Sequence, residues 1–139
     1  TPDDIVIQNE AWWDRIFSGM EKVLTGQEGT ARRTGVDLEY RMGGKSGTAQ
    51  VFSLGQDQRY NAEELAERLR DHALFMAFAP LENPEIAVSV IVENAGGGST
   101  HAAHLARAIT DAWLLEEEAP DVEEVREVME NDTSSVAGN

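Results

Sequence analysis

Two short apolar runs separated by a proline-containing turn constrain the fold of this chain more than any other feature. The runs are residues 74–79 and Ile86–Val92, and the segment 80–85 between them begins with Pro80 and contains Pro84. Continuous apolar character over such short lengths is typical of strands that are covered on both faces. A parallel crossover needs about a dozen residues or more, so the short segment between the runs favours an antiparallel hairpin.

A helical pattern precedes these strands. Apolar residues recur at three- and four-residue steps over residues 11–24, after Asn9 as a candidate cap, and Gly26 and Gly29 end the pattern. The positions predicted to form a wide buried stripe are Trp12 or Trp13, Ile16, Phe17, Met20, Val23 and Leu24. The sequence therefore predicts an amphipathic helix that packs against a core.

A second amphipathic helix is predicted after the strands, capped by Ser99 or Thr100 and continuing to residue 115. Its apolar side is expected to pack on the sheet and carries Leu105, Ile109, Ala112 and Trp113. Antiparallel strands with helices packed against them give the predicted fold class, α+β, an antiparallel sheet flanked by helices.

The region between the first helix and the apolar runs is predicted to be largely extended. Residues 38–42 and 45–54 have strand-like composition and are joined through the glycine pair 43–44. Asn61, followed by Glu64 three residues later, resembles a capping box and predicts a short helix in the connection that follows.

The second extended segment opens with the run Lys45-Ser46-Gly47-Thr48. A cation, two hydroxyls and a glycine on a strand can hold an anionic ligand that bears an amide. A phosphate-binding loop is excluded, because Glu39 occupies the position that needs the first glycine of that motif.

Each residue of the run suits one part of such a ligand. Lys45 places a positive potential beside an incoming carboxylate. Ser46 and Thr48 are two residues apart, so on a strand their side chains share one face and can grip one carboxylate together. Gly47 leaves room for a ligand backbone, because a β-carbon there would occupy the ligand's space.

The run matches the Lys-Thr-Gly element of penicillin-binding proteins and class A β-lactamases, with a serine in place of the threonine. Together with residues 40–50, 68–80, 86–94 and 96–98, it resembles the C-terminal part of the transpeptidase domain of a class B penicillin-binding protein. The greatest similarity is to the elongation-type penicillin-binding protein 2. The resemblance extends over about residues 11–115.

This resemblance implies the C-terminal portion of a β-lactamase/transpeptidase-like fold. It also implies part of a peptidoglycan D,D-transpeptidase that crosslinks cell-wall peptides through a serine acyl-enzyme and binds penicillin. Lys45 and Thr48 are then the catalytic residues, the backbone N–H of Thr48 forming half of the oxyanion hole. The implied substrate-binding set is Lys45, Ser46, Gly47 and Thr48, and the implied site-adjacent residues are Gln50, Asp71 and His72.

The family's nucleophile lies in a Ser-x-x-Lys motif, which this sequence does not contain. Ser18 has lysine at the fourth following position, Lys22, and not at the third. We therefore expect the chain to be one piece of a longer enzyme and to be inactive alone. A D,D-carboxypeptidase or β-lactamase-like serine hydrolase fragment is one alternative, and a non-catalytic interaction module is another.

The histidines offer two further interpretations. His101 and His104 lie three residues apart on a predicted helix, and Glu93 is a candidate third metal ligand. Two histidines without a firm third ligand more often form a polar surface, so no metal is predicted. No cofactor is predicted either. His72 follows Asp71, and a structural hydrogen bond is favoured there over an acid–base pair.

Composition limits the partners and the location. The formal net charge is −15 and residues 116–139 carry −8 of it, which argues against nucleic acid and anionic membrane surfaces as partners. There is no cysteine, and no apolar run approaches the roughly 18 residues that a spanning helix needs.

The predicted domain organisation is a leader or joining segment at residues 1–10, the C-terminal part of a transpeptidase domain at 11–115, and an acidic, flexible tail at 116–139. The resemblance implies a place at the periplasmic face of the bacterial inner membrane, anchored through a segment absent from this chain. The implied partners are peptidoglycan stem peptides, β-lactams, the remainder of the transpeptidase domain and cell-elongation membrane proteins.

Overall fold

The computed structural model describes residues 5, 6, 8–51, 70–95, 101–116, 121 and 123. Its elements, in chain order, are α1 (Ala11–Thr25), β1 (Gly43–Ala49), β2 (His72–Ala79), β3 (Ile86–Val92) and α2 (His101–Leu114). The three strands form one antiparallel sheet in the order β1-β2-β3. The α+β fold class predicted from the sequence is therefore confirmed.

The predicted hairpin is formed by β2 and β3. The two strands pair antiparallel in a register that places Ala79 opposite Ile86 and Ala73 opposite Val92. The backbone N–H of Glu85 donates to the carbonyl of Ala79 at 2.9 Å and closes the turn. The bounds predicted for β3 are those of the structure, and β2 begins two residues earlier than predicted.

The core lies between the sheet and α2 and also includes Leu24 of α1 and, from the segment before β1, Ala31 and Met42. Strand alternation places Ala73, Phe75 and Ala77 of β2 on the face toward α2, and each is at most 3% exposed. The buried residues of α2 are Ala102, Ala103, Ala106 and Thr110. Because these side chains are small, the helix backbone can approach the sheet closely.

The stripe predicted to pack α2 on the sheet is therefore wrong at Ile109 and Trp113, whereas Leu105 is half-buried. Ile109 is 48% exposed and Trp113 is 63% exposed. The alanine stripe beside them is the one that fits against the sheet, because bulky side chains would hold the helix away from it.

The strands are also less covered than the apolar runs predict. Met76 on β2 is 53% exposed and Ile91 on β3 is 62% exposed, and both lie on the sheet face opposite Phe75. The prediction that both strands are covered on both faces is therefore wrong at these positions in the described part of the chain. The helix α2 packs on the face that carries Phe75, and on the opposite face the ring of Phe17 in α1 packs against Phe78, at 5.5 Å between ring centroids, without reaching Met76 or Ile91.

The glycine pair 43–44 lies inside β1 and does not join two strands. A β-carbon at Gly44 would lie 2.6 Å from Cζ of Phe75, and one at Gly43 would lie 2.7 Å from Cζ of Phe78. The two rings thus fill the space on either side of the strand. Residues 38–42, predicted to be extended, contribute no strand.

The first helix begins at the predicted residue and ends one residue later than predicted. Its cap position is Glu10 and not Asn9, although Oδ1 of Asn9 accepts a hydrogen bond from the N–H of Ala11 at 3.0 Å. The predicted buried stripe is wrong at Ile16, which is 45% exposed, whereas Leu24 is buried. Of the two tryptophans that the prediction offered, Trp13 is half-buried and Trp12 is 46% exposed.

Several sequence predictions lie outside the described residues: the part of the second extended segment beyond residue 51, the short helix that follows Asn61, the cap at Ser99 or Thr100, and nearly all of the acidic tail. The domain boundaries near residues 10 and 115 stay predictions. Neither helix in the described ranges has the length and apolar character needed to cross a membrane.

Candidate active site

The Lys45-Ser46-Gly47-Thr48 run lies in the middle of β1, an outer strand of the described sheet. Lys45 and Thr48 are exposed, and Ser46 and Gly47 are half-buried. Alternation places Ser46 and Thr48 on one face, and Lys45 and Gly47 on the face that carries Met76 and Leu74. The structure thus brings the four residues together along one strand but on two faces.

The ammonium group of Lys45 bends back along the strand. Its Nζ donates a hydrogen bond to the carbonyl oxygen of Ser46 at 2.5 Å. The cation therefore lies beside the strand backbone, where a ligand that pairs with β1 would place its own polar groups.

The hydroxyl of Ser46 has a partner that sequence reasoning missed. Oγ of Ser46 lies 3.0 Å from Oγ1 of Thr30, within hydrogen-bond distance. Thr30 follows the turn that ends α1, in which the N–H of Gly29 donates to the carbonyl of Gly26 at 3.0 Å. No local pattern indicates this contact, because sixteen residues separate its partners.

An open cleft of about 570 Å³ lies between α1, the turn after it and β1. Its lining consists of Gly19, Lys22, Val23, Gly26, Gln27, Glu28, Gly29, Thr30 and Lys45. Three of these residues are glycines. Lys22 of α1 lines the same cleft as Lys45 of the motif.

Asp71 and His72 lie where β1 leaves the sheet. Asp71 is 5% exposed, and its Oδ1 accepts a hydrogen bond from the N–H of Val51 at 3.2 Å. Nδ1 of His72 accepts one from the N–H of Asn94 at 3.0 Å, in a turn where Asn94 has φ 56°. Both contacts are of the structural kind that the sequence favoured for His72. Gln50, the residue that directly follows β1, is exposed.

A guanidinium group from α2 fixes the segment that leads into β1. Arg107 donates to the carbonyls of Thr34 at 2.9 Å and Val36 at 2.5 Å, and its Nε donates to Oδ2 of Asp111 at 3.1 Å. The hydroxyl of Tyr40 donates to Oδ1 of the same carboxylate at 2.5 Å. The spacing of Arg107 and Asp111 could have indicated a helical ion pair, but not its partners more than 70 residues away.

A second arginine joins α1 to the hairpin. Arg41 binds both carboxylate oxygens of Glu21, at 2.6 and 2.8 Å, and also binds Glu82 in the turn between β2 and β3. The hydrogen bond from Arg41 lowers the pKa of Glu21 below its ordinary value of 4.5. The bonds to Glu21 and Glu82 raise the pKa of Arg41 further above its usual range.

Within the described ranges, no three His, Cys, Asp or Glu side chains are grouped closely enough to hold a metal ion. His101 lies at the start of α2, in its first turn, and His104 follows one turn later. What the described part of β1 presents is a cation, two hydroxyls and backbone groups, a set suited to carboxylate and amide recognition.

Known proteins resemble this chain over most of its length. A family model described as the penicillin binding protein transpeptidase domain matches residues 2–111. The peptidoglycan D,D-transpeptidase MrdA of Haemophilus influenzae is 48% identical over 120 residues, which cover 86% of this chain and 18% of that protein. The enzyme of the same name from Escherichia coli K12 is 41% identical over 114 residues, 82% of this chain. The chain therefore spans about a fifth of the length of these relatives.

Solved structures show the same similarity. The PBP2 of Pseudomonas aeruginosa, in complex with WCK 5153, superposes with a TM-score of 0.68 at 44% identity and covers 87% of this chain and 24% of its own. The PBP2 of Helicobacter pylori, in complex with MreC, superposes with a TM-score of 0.58 at 26% identity and covers 77% of this chain and 18% of its own.

Proposed function

Because the chain belongs to the penicillin-binding protein transpeptidase family, we propose that it is part of a peptidoglycan D,D-transpeptidase and supplies one wall of its active site. The observation that carries the proposal is the position of Lys45, Ser46, Gly47 and Thr48 on an outer strand beside an open cleft. The nucleophilic serine belongs to a part of the enzyme outside this chain, so the chain alone is inactive.

The reaction is a two-step acyl transfer. The serine attacks the carbonyl carbon between the two D-alanines of a stem peptide, and the terminal D-alanine leaves as the amine. An amino group of a second stem peptide then attacks the acyl-enzyme ester, forming the crosslink and releasing the serine. A β-lactam follows the first step, but its opened ring stays attached to the enzyme.

The four residues of β1 have distinct roles in this proposal. The hydroxyls of Ser46 and Thr48 bind the terminal carboxylate, and Lys45 adds a positive potential beside the nucleophile. The N–H of Thr48 donates to the oxyanion, and Gly47 lets the stem peptide approach the strand. The hydrogen bond that Asp71 accepts from the N–H of Val51 holds the segment after that strand in place. The hydrogen bond that His72 accepts from the N–H of Asn94 holds the turn after β3 against β2.

The partners follow from the open surfaces and from the relatives. The remainder of the transpeptidase domain covers the part of the sheet face on which the apolar side chains of Met76 and Ile91 are exposed. The Helicobacter pylori relative was solved with MreC, which supports cell-elongation membrane proteins as partners. The enzyme acts at the periplasmic face of the inner membrane.

Labelling of the intact protein with a fluorescent penicillin, followed by a denaturing gel and intact-mass analysis, tests the proposal. We expect a stable label on the polypeptide that contains β1, and slow loss of that label on standing. Rapid loss with accumulation of hydrolysed penicillin would instead identify a β-lactamase-like hydrolase. A folded protein that takes up no label would support the non-catalytic module.

A further inference from the structure

We propose that Thr30 is a positioning residue that orients the hydroxyl of Ser46 toward the carboxylate of the ligand. This assignment rests on the proposed function of β1 and adds a residue from outside the strand. Its basis is the distance of 3.0 Å between Oγ1 of Thr30 and Oγ of Ser46. Ser46 occupies the position at which the Lys-Thr-Gly motif has threonine.

The need for a positioning residue follows from the serine itself. A threonine is stiff at χ1, because its γ-methyl and hydroxyl crowd the backbone, whereas a serine hydroxyl has three staggered positions available. A hydrogen bond to Thr30 favours one of these positions. Thr30 therefore supplies to Ser46 the restraint that a γ-methyl group supplies in the Lys-Thr-Gly form of the motif.

The direction of the bonds follows from the hydrogen-bonding capacity of each group. An ionised carboxylate only accepts, and a serine hydroxyl has one proton to donate and two lone pairs. When Ser46 donates its proton to the ligand's carboxylate, the bond with Thr30 requires Thr30 to be the donor. The Thr30 proton also polarises the Ser46 hydroxyl and so strengthens its bond to the carboxylate.

Thr30 is well placed for this role because its backbone is held on α1. The N–H of the next residue, Ala31, donates to the carbonyl of Val23 at 2.9 Å, and Ala31 is 2% exposed. At Gly29, on the other side, a β-carbon would lie 2.6 Å from the carbonyl oxygens of Lys22 and Val23. The hydroxyl of Thr30 is thus carried by a segment docked closely on the helix.

The experiment uses the intact protein and measures the dissociation constant and the acylation rate constant for benzylpenicillin and its methyl ester. The variants are Thr30→Val, which keeps the shape and removes the donor, Thr30→Ser, which restores it, and Ser46→Thr with and without Thr30→Val. The melting temperature of each variant accompanies the kinetics.

For benzylpenicillin, Thr30→Val is expected to weaken binding about threefold to tenfold, the effect of losing one hydrogen bond. The dissociation constant of Thr30→Ser for benzylpenicillin is expected to stay within about twofold of the wild-type value. The loss is expected to shrink to less than about twofold in the Ser46→Thr background and for the methyl ester, whose ester group lacks the charge that the hydroxyl binds.

Two outcomes would overturn the assignment. In the first, the wild type and Thr30→Val bind benzylpenicillin equally well. In the second, Thr30→Val loses affinity equally for benzylpenicillin and for its methyl ester, which is what a general structural effect produces. Absence of any label on the folded wild-type protein would instead overturn the function proposed for β1 and this assignment with it.

Discussion

Gly44 lies directly against the ring of Phe75, so closely that a β-carbon at Gly44 would stand 2.6 Å from Cζ and 2.9 Å from Cε1 of that ring. Phe75 is 1% exposed and belongs to the core under α2. At Gly47, three residues along the same strand, a β-carbon would meet only Cβ of Leu74, at 3.3 Å. Gly44 and Gly47 therefore serve different purposes in β1.

We predict that Gly44→Ala destabilises the intact protein by about 1–3 kcal/mol, because the buried ring has to move to admit a methyl group. Gly47→Ala, the matched change on the same strand, is expected to cost less than about 1 kcal/mol. Thermal and denaturant unfolding of both variants checks this. Equal losses of stability would contradict the separate roles.

The second prediction concerns ligand binding at Gly47. Gly47→Val is expected to leave a folded protein with little penicillin acylation, because the added side chain occupies the space of the ligand backbone. Fluorescent-penicillin labelling gives the measurement. Gly44→Ala is the control, since it should retain acylation at temperatures at which it is folded. If a folded Gly47→Val protein were labelled as fully as the wild type, Gly47 would not be part of the ligand site.

The third prediction concerns Arg107. Arg107→Lys is expected to destabilise the protein by about 1.5–3 kcal/mol, because an ammonium group cannot reach the carbonyls of Thr34 and Val36 while it also binds Asp111. Denaturant unfolding measures the loss. Arg32→Lys is the matched control, because Arg32 is exposed in the loop between α1 and β1. This variant should change the free energy of unfolding by less than about 0.5 kcal/mol. Similar losses of stability in the two variants would argue against a stabilising role for the hydrogen bonds of Arg107.

The fourth prediction concerns pH. Arg41 lowers the pKa of Glu21 in the folded protein below 4.5, so this carboxylate contributes stability that is present above pH 4.5 and is lost as the pH falls through the folded pKa. The wild type should therefore melt at a higher temperature than Glu21→Gln at pH 7, and the difference should shrink as the pH falls below 4.5.

Melting curves between about pH 7 and pH 3 provide the measurement, over the range in which carboxylates titrate. Glu39→Gln, at an exposed position of the loop before β1, is the matched control. A difference between the wild type and Glu21→Gln that is independent of pH would show that the pair with Arg41 contributes nothing through ionisation.

The local patterns of the sequence determined the elements of the fold. The apolar runs and the short segment between them predicted the β2–β3 hairpin, and the helical spacing predicted both ends of α1 to within one residue. The Lys-Ser-Gly-Thr run was placed on a strand and lies on one. Such features depend on residues close in the chain, because backbone geometry sets the periods of helices and strands.

The tertiary structure alone decided which faces meet and which distant groups pair. It chose the alanine stripe of α2 over Ile109 and Trp113, because close approach to a flat sheet favours small side chains. It placed Phe75 over Gly44, so that the glycine pair became part of a strand. It also brought Thr30 to Ser46 and Arg107 to the loop before β1, and these contacts depend on how separate elements pack, which no local spacing encodes.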